Sequence, residues 1–267
     1  MTEAMSGQGP VAQEYSPRVC VHESREELGH AAGAEAAESL RLAIARRGHA
    51  RLMLAAAPSQ QSTLTTLAAA PGVDWSGIEC FHMDEYIGLP ASVPQLFGNW
   101  LQTTFFDHVP PVAAFHRIGS TGDPNLCATS YESVMGSRPF DVVLLGLGVN
   151  GHLAFNDPPA DLHDPRGARV VDLDETSRRQ QSDEGHFATA ADVPRRAITV
   201  TIPRLLNAEV VIASVPGRQK RQAVEEALTR PIGGAYPGTA LRTHRRVTMH
   251  LDAESCPVRV EVGQLYG

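Results

Sequence analysis

Strand-length apolar runs alternate with segments of helical spacing along almost the whole chain, and this alternation restricts the fold more than any other feature. Runs at 18–22, 51–57, 78–83, 141–145, 197–202, 210–215 and 247–251 have the length and content of strands. Between them, 24–47, 62–70, 94–106, 125–135 and 219–228 carry helical periodicity. Gly48 stands where the first helix needs a C-terminal cap, and Pro71-Gly72 ends the second. Strands and helices in this order predict an α/β fold: a mostly parallel, doubly wound (Rossmann-like) sheet with helices on both faces. No repeat or linker divides the middle, so 18–267 reads as a single domain that closes with the strand at 247–251. Residues 1–17 contain Gly, Gln, Ser and Pro without an apolar signal core and read as a flexible N-terminal tail. The segment 157–187 is polar and irregular, and 160–187 is the expected lid.

Composition removes several function classes. A chain of 267 residues can bury a sizeable core. Its formal net charge of -7 argues against nucleic acid and anionic membranes as partners. The longest apolar runs fall far short of the roughly 20 residues of a membrane span. Cys20, Cys80, Cys127 and Cys256 are widely spaced with no CxxC pair, which suits reduced thiols in a cytoplasmic protein and suggests no structural zinc. An anionic substrate would need a local cluster of cations.

Two stretches carry chemistry. In 81–90 an apolar strand stops at Asp84-Glu85, and in 146–158 the strand Val142–Leu145 opens into a glycine-punctuated turn holding Asn150, Gly151 and His152, with Asp157 five residues beyond. Carboxylates and a histidine at the carboxyl ends of separate buried strands suit proton transfer in an open α/β sheet, where ligands sit outside those ends. Each residue also has a plainer use. An acidic pair commonly caps a helix or is solvated, and a loop histidine is commonly structural. Ser59 and Ser62 suit helix N-caps. Lys220 is the sole lysine of the chain and follows Gly217 at the start of a late helix. No G-x-G-x-x-G nucleotide fingerprint or His/Cys ligand cluster is present, so no cofactor or metal is expected.

Met83-Asp84-Glu85-Tyr86-Ile87-Gly88-Leu89 together with Asn150-Gly151-His152-Leu153-Ala154-Phe155-Asn156 resembles the signature segments of the glucosamine-6-phosphate deaminases. They belong to a larger group that includes 6-phosphogluconolactonase and ribose-5-phosphate isomerase. The resemblance is strongest over 80–160 and weaker from about 50 to 250. It implies conversion of glucosamine 6-phosphate and water to fructose 6-phosphate and ammonia without a cofactor, in an enzyme that is often a homo-oligomer.

By the same resemblance Asp84 is the base that carries a proton between C2 and C1. His152 opens the sugar ring, Asp157 orients it where relatives often have glutamate, and Asn150 stands where some have aspartate. Lys220 matches a phosphate-binding lysine, and Glu85 and Gly151 are counted among the substrate-binding residues. The phosphate loop departs from the pattern. Relatives carry a Gly-Gly-Thr/Ser turn, whereas this chain has Ala57-Pro58-Ser59-Gln60, leaving Ser59 and Gln60 as the polar contacts. No arginine stands at the family position in 175–187, and Arg178 is the candidate substitute. The alternatives are an isomerase or deaminase of a different amino sugar, a 6-phosphogluconolactonase-like hydrolase, and a non-catalytic sugar-phosphate sensor.

Overall fold

The computed structural model describes residues 13–257. Its main sheet has seven parallel strands: β1 (Arg18–His22), β2 (Ala50–Leu54), β3 (Ile78–His82), β5 (Ala114–His116), β6 (Phe140–Leu145), β9 (Ala208–Val215) and β10 (Val247–Asp252). Their order is β1-β10-β9-β6-β2-β3-β5. From β2 the chain winds outward through β3 to β5, then returns to place β6 on the other side of β2 and continues to β9 and β10. The winding therefore reverses between β2 and β6, where an open α/β sheet leaves a crevice outside its carboxyl ends.

Alternating side chains bury both faces of the sheet. Met53, Val143, Leu145, Val211 and Ala213 join one apolar cluster, which includes residues of α4 (Pro124–Met135) and α7 (Arg221–Thr229). Leu52, Leu54, Val142, Leu144 and Ile212 join the other, with residues of α1 (Arg25–Arg47), α2 (Gln61–Ala69) and α3 (Phe97–Thr104). Strands buried on both faces explain the continuous apolar runs in the sequence.

The long helix α1 shows how local sequence sets its limits. Ser24 accepts the Glu27 N–H at 3.1 Å, Glu26 and Glu27 lie in the first turn, and Arg46 and Arg47 lie in the last. Gly48 adopts φ 73° and returns its N–H to the Ile44 carbonyl at 2.7 Å. The small inward face of Ala32, Ala36, Ala37, Leu40 and Ala43 brings the helix close to the sheet.

The structure corrects several sequence expectations. The strand expected at 197–202 is β8 (Arg196–Val200), and it lies outside the main sheet in a three-stranded antiparallel one with β4 (Asp84–Tyr86) and β7 (Ala168–Asp172). The strand at 247–251 is no edge, since β1 pairs with β10 and forms the border. The stretch expected to be irregular contains β7 and a helix, α5 (Glu175–Asp183). The short helix α6 (Ile202–Leu206) follows β8. Of the expected N-terminal tail, 1–12 lies outside the described residues. Glu14 and Tyr15 are tied to the body, with the Tyr15 N–H on the Arg242 carbonyl at 2.7 Å and Arg242 Nε donating to Glu14 at 2.9 Å.

Candidate active site

Four adjacent strands, β9, β6, β2 and β3, deliver their carboxyl ends to one cavity of about 60 Å³. Ser59 and Gln60 follow β2, Asp84 follows β3, His152 follows β6, and Lys220 follows β9; all five line the cavity. Helix α5 closes it with Gln180 and Gln181, and Glu184 lies just past the helix. A larger groove of about 910 Å³ opens at the opposite end of the sheet, near Asn207 and His244. Of the two acids on its wall, Glu14 is ion-paired with Arg242 and Asp161 accepts the His163 N–H at 2.8 Å, and the chemistry-bearing strand ends lie on the other side of the molecule.

Asp84 is buried, 7% exposed, and its carboxylate has neither a hydrogen bond nor an ion pair among the described residues. Burial, reinforced by the neighbouring Glu85 charge, holds its pKa well above the ordinary carboxylate range. The backbone fixes its position. Asp84 opens β4 opposite Thr199, and its carbonyl lies 2.9 Å from Nδ1 of the fully buried His82.

Glu85 faces elsewhere. Its carboxylate accepts the backbone N–H groups of Tyr86 at 3.0 Å, Phe97 at 2.9 Å and Gly98 at 2.9 Å. It thus caps the start of α3, which corrects the expectation that it binds substrate. Burial raises its pKa to about 7 against the lowering effect of those three donors.

His152 Nδ1 lies 3.0 Å from Asp157 Oδ1 and 3.1 Å from Ser177 Oγ, so Nε2 is the nitrogen left for a ligand. Asp157 also accepts Ser177 Oγ and, at 3.1 Å, Asn150 Nδ2. Burial alone would raise the Asp157 pKa, but the hydrogen bond and charge of His152, then Ser177 and Asn150, bring it below the usual value. The Asn150 side-chain oxygen accepts the His152 N–H at 3.2 Å and fixes the turn. Asp157 and Asn150 therefore act on the histidine and are not themselves in the cavity lining.

The glycines of this turn make room for protein rather than ligand. A Cβ on Gly148 would stand 2.4 Å from the His152 ring, so the ring needs glycine there. Gly151 adopts φ 81° with open space where a Cβ would be, so the turn's left-handed backbone requires it. Gly151, expected as a substrate contact, is not among the residues lining the cavity, and its backbone conformation is what the turn takes from it. The next non-glycine departure is Ala154 at φ 51°, a strained position on the cavity wall.

Arg178 is turned away from the cavity. It donates to the carbonyls of Ala190 at 2.7 Å and Val193 at 3.3 Å, and so does not substitute for the absent family arginine. Lys220 is 3% exposed and its Nζ lies 3.6 Å from Glu184 Oε1. Burial lowers the lysine's pKa and the facing glutamate opposes that shift. Ser177, Gln180, Gln181 and Glu184 were not singled out from the sequence. Of these, only Glu184 carried a signal: it is an acid in the segment where an anion-binding cation was expected.

A parallel, doubly wound sheet with an unpaired buried carboxylate and an oriented histidine at its switch point defines an α/β enzyme with its reaction centre outside the strand ends. The chain belongs to the family described as glucosamine-6-phosphate isomerases/6-phosphogluconolactonase, whose model matches residues 23–249. It is 32% identical over 198 residues to a glucosamine-6-phosphate deaminase of Staphylococcus epidermidis, an alignment covering 73% of this chain and 80% of that one. A solved monomeric glucosamine-6-phosphate deaminase superposes with a TM-score of 0.81 at 26% identity, over 89% of this chain and 98% of the other. A 6-phosphogluconolactonase of Thermotoga maritima shares the fold at a TM-score of 0.74 and 16% identity, over 89% of this chain and 100% of the other. Among the described residues no helix is long and apolar enough to cross a membrane.

Proposed function

We propose that this enzyme is a deaminating aldose–ketose isomerase of 2-amino-2-deoxyhexoses, the type of reaction implied by its glucosamine-6-phosphate deaminase relatives. The single observation that carries this is the unpaired, buried Asp84 carboxylate facing the same cavity as the oriented His152.

His152 Nε2 exchanges a proton with the ring oxygen and the anomeric hydroxyl, opening the sugar to its aldehyde. Asp157 and Ser177 hold the ring by its other nitrogen so that Nε2 stays aimed at substrate. Asp84 then takes the C2 proton while the substrate's ammonium group gives one of its protons to the C1 oxygen, leaving an enolamine, and Asp84 returns its proton to C1 as the nitrogen's electron pair forms the C2 imine. The resulting C2 imine adds water and expels ammonia, leaving a ketose. A carboxylate suits this shuttle because its low-water surroundings raise its proton affinity toward that of the carbon acid. The 6-phosphogluconolactonases share the fold, but ester hydrolysis needs no group that returns a proton to carbon.

Ammonia and ketose formation from glucosamine and from glucosamine 6-phosphate, followed for the wild type and Asp84→Asn, tests the proposal. Turnover of at least one sugar is expected, with a loss of about 10²–10⁴-fold in the variant. Undiminished turnover by Asp84→Asn would remove Asp84 as the shuttle, and no ammonia from either sugar would remove the reaction.

A further inference from the structure

His82 ends β3 and Asp84 opens β4, so the proposed proton shuttle stands where the chain leaves the main sheet for the small one. Met83, between them, is shared by both sheets. Its N–H donates to the Leu54 carbonyl at 3.2 Å, and its own carbonyl accepts the Val200 N–H at 2.8 Å. Hydrogen-bonded and unbonded pairs alternate along an antiparallel ladder. With Met83 bonded to Val200, the Asp84–Thr199 pair is an unbonded one, and the Asp84 carbonyl points away from β8. β4 is the border strand of its sheet, so no strand stands on that side to meet it.

A side chain meets it instead. His82 is fully buried, with Nδ1 2.9 Å from the Asp84 carbonyl oxygen and Nε2 2.8 Å from the Ile118 backbone nitrogen. A carbonyl only accepts and a backbone N–H only donates, so the ring carries its proton on Nδ1 and accepts on Nε2. Burial brings the ring's pKa down to about 3 against the opposing hydrogen bond to Asp84, and the Arg117 charge adds to the fall. The His82 backbone is held in turn by Tyr131 of α4, whose hydroxyl accepts the His82 N–H at 3.0 Å and donates to the His82 carbonyl at 2.7 Å.

A neutral ring with both nitrogens engaged, outside the cavity lining, takes no part in proton transfer. It ties the segment after β5 to the backbone of the residue that does. None of these groups lies on α5, so widening of the cavity leaves them in place.

We infer that His82 is a positioning residue for Asp84: its Nδ1–H bond to the Asp84 carbonyl fixes that residue's backbone so that the carboxylate stays within reach of two adjacent substrate carbons. The inference rests on the deaminating-isomerase reading, in which one carboxylate serves both C2 and C1. A displacement of about 1 Å in such a group costs about 10²-fold in rate.

The test separates the two ring nitrogens. In His82→Asn the amide nitrogen takes the place of Nδ1 and keeps the bond to Asp84, but nothing reaches Ile118. In His82→Gln the amide oxygen takes the place of Nε2 and accepts from Ile118, but the Asp84 carbonyl loses its donor. Each variant leaves one buried backbone group unpaired, so a purely structural role would lower Tm and kcat alike in both. Positioning gives a split: His82→Gln loses about 10²-fold in kcat with KM nearly unchanged, and His82→Asn keeps most of the wild-type kcat. A second readout needs no turnover. The Asp84 carboxyl carbon is titrated by NMR, its resonance identified by its absence in Asp84→Asn. His82→Asn should hold the titration at the raised wild-type position, and His82→Gln should let it fall toward the ordinary carboxylate value as the group drifts toward water. Equal effects of the two variants on kcat or on the titration, or the reverse order, overturn the assignment. If the wild type turns over neither sugar, the reaction falls and the titration alone decides on His82. If neither variant folds, the imidazole nitrogen shifts of the wild type decide. A proton on Nδ1 across the neutral range upholds the assignment, and a proton on Nε2 or a charged ring overturns it.

Discussion

Asp84 does its proposed work by being uncomfortable. With burial and the Glu85 charge both favouring its protonated form, the native state holds this proton more tightly than the unfolded chain does. Two consequences have definite signs. As a base Asp84 must be ionised, so kcat/KM should fall with decreasing pH along a limb lying above the ordinary carboxylate value of about 4. For stability, the group is neutral in both states at low pH and costs nothing there. The cost appears as pH rises past the unfolded value and is complete above the raised native one. Asp84→Asn should therefore melt higher than wild type at pH 8, with a smaller gain or none at pH 4; equal gains at both would remove the unpaired charge as the cause. Asp84 was legible because a buried strand runs straight into it. Capping by one of the acidic pair was a reading the sequence allowed, but which helix Glu85 caps was not legible, since two of its three N–H partners come from the helix start at Phe97 and Gly98, twelve and thirteen positions along the chain. Nothing local to Arg178 shows that its guanidinium finds carbonyls at Ala190 and Val193.

Among the elements, the apolar strands and α1 announced themselves, whereas α5 did not, and its inward face explains why. The side chains it buries are Ser177 and Gln181, which bond to His152 and Asp157 and to the Tyr86 hydroxyl. A helix whose buried side is polar leaves no apolar period to detect. Likewise β8 reads as a strand in the sequence, but its partners β4 and β7 come from segments too short or too polar to suggest a second sheet. The polar face of α5 has a mechanical consequence. A cavity of about 60 Å³ is far below what a hexose occupies, so the site has to widen for substrate to enter, and α5, which covers it with Gln180 and Gln181, is the element expected to move. Held by hydrogen bonds more than by apolar contact, it belongs to the low-stability end of the molecule. Amide exchange across 177–184 should outpace that of α1 in the free enzyme and slow by about tenfold or more with saturating 2-amino-2-deoxyglucitol 6-phosphate, an open-chain analogue of glucosamine 6-phosphate. Equal exchange with and without ligand would count against α5 as the lid.

At the scale of the whole molecule, the site and the core cannot be separated. The cavity exists only where the carboxyl ends of β9, β6, β2 and β3 lie side by side, and those strands are also the centre of both apolar clusters. Leu52 lies in β2 next to Cys80 of β3 and Val142 of β6, fully buried and on the sheet face covered by α1 and α2. Truncation to alanine there removes apolar contact and leaves a cavity, at about 2–5 kcal/mol. In a domain of this size that is a fall in Tm of about 4–20 °C. Leu52 points away from the cluster that contains Met53 and Met83, and its backbone remains in register, so KM should hold near the wild-type value below the transition. If the strands that build the site are the strands that build the core, calorimetry should show one transition in both proteins. Catalytic activity should disappear within that transition rather than before it. Two resolved transitions, or activity lost well below the melting of the sheet, would mean that the chain folds as separable units and that the site is carried by the weaker one.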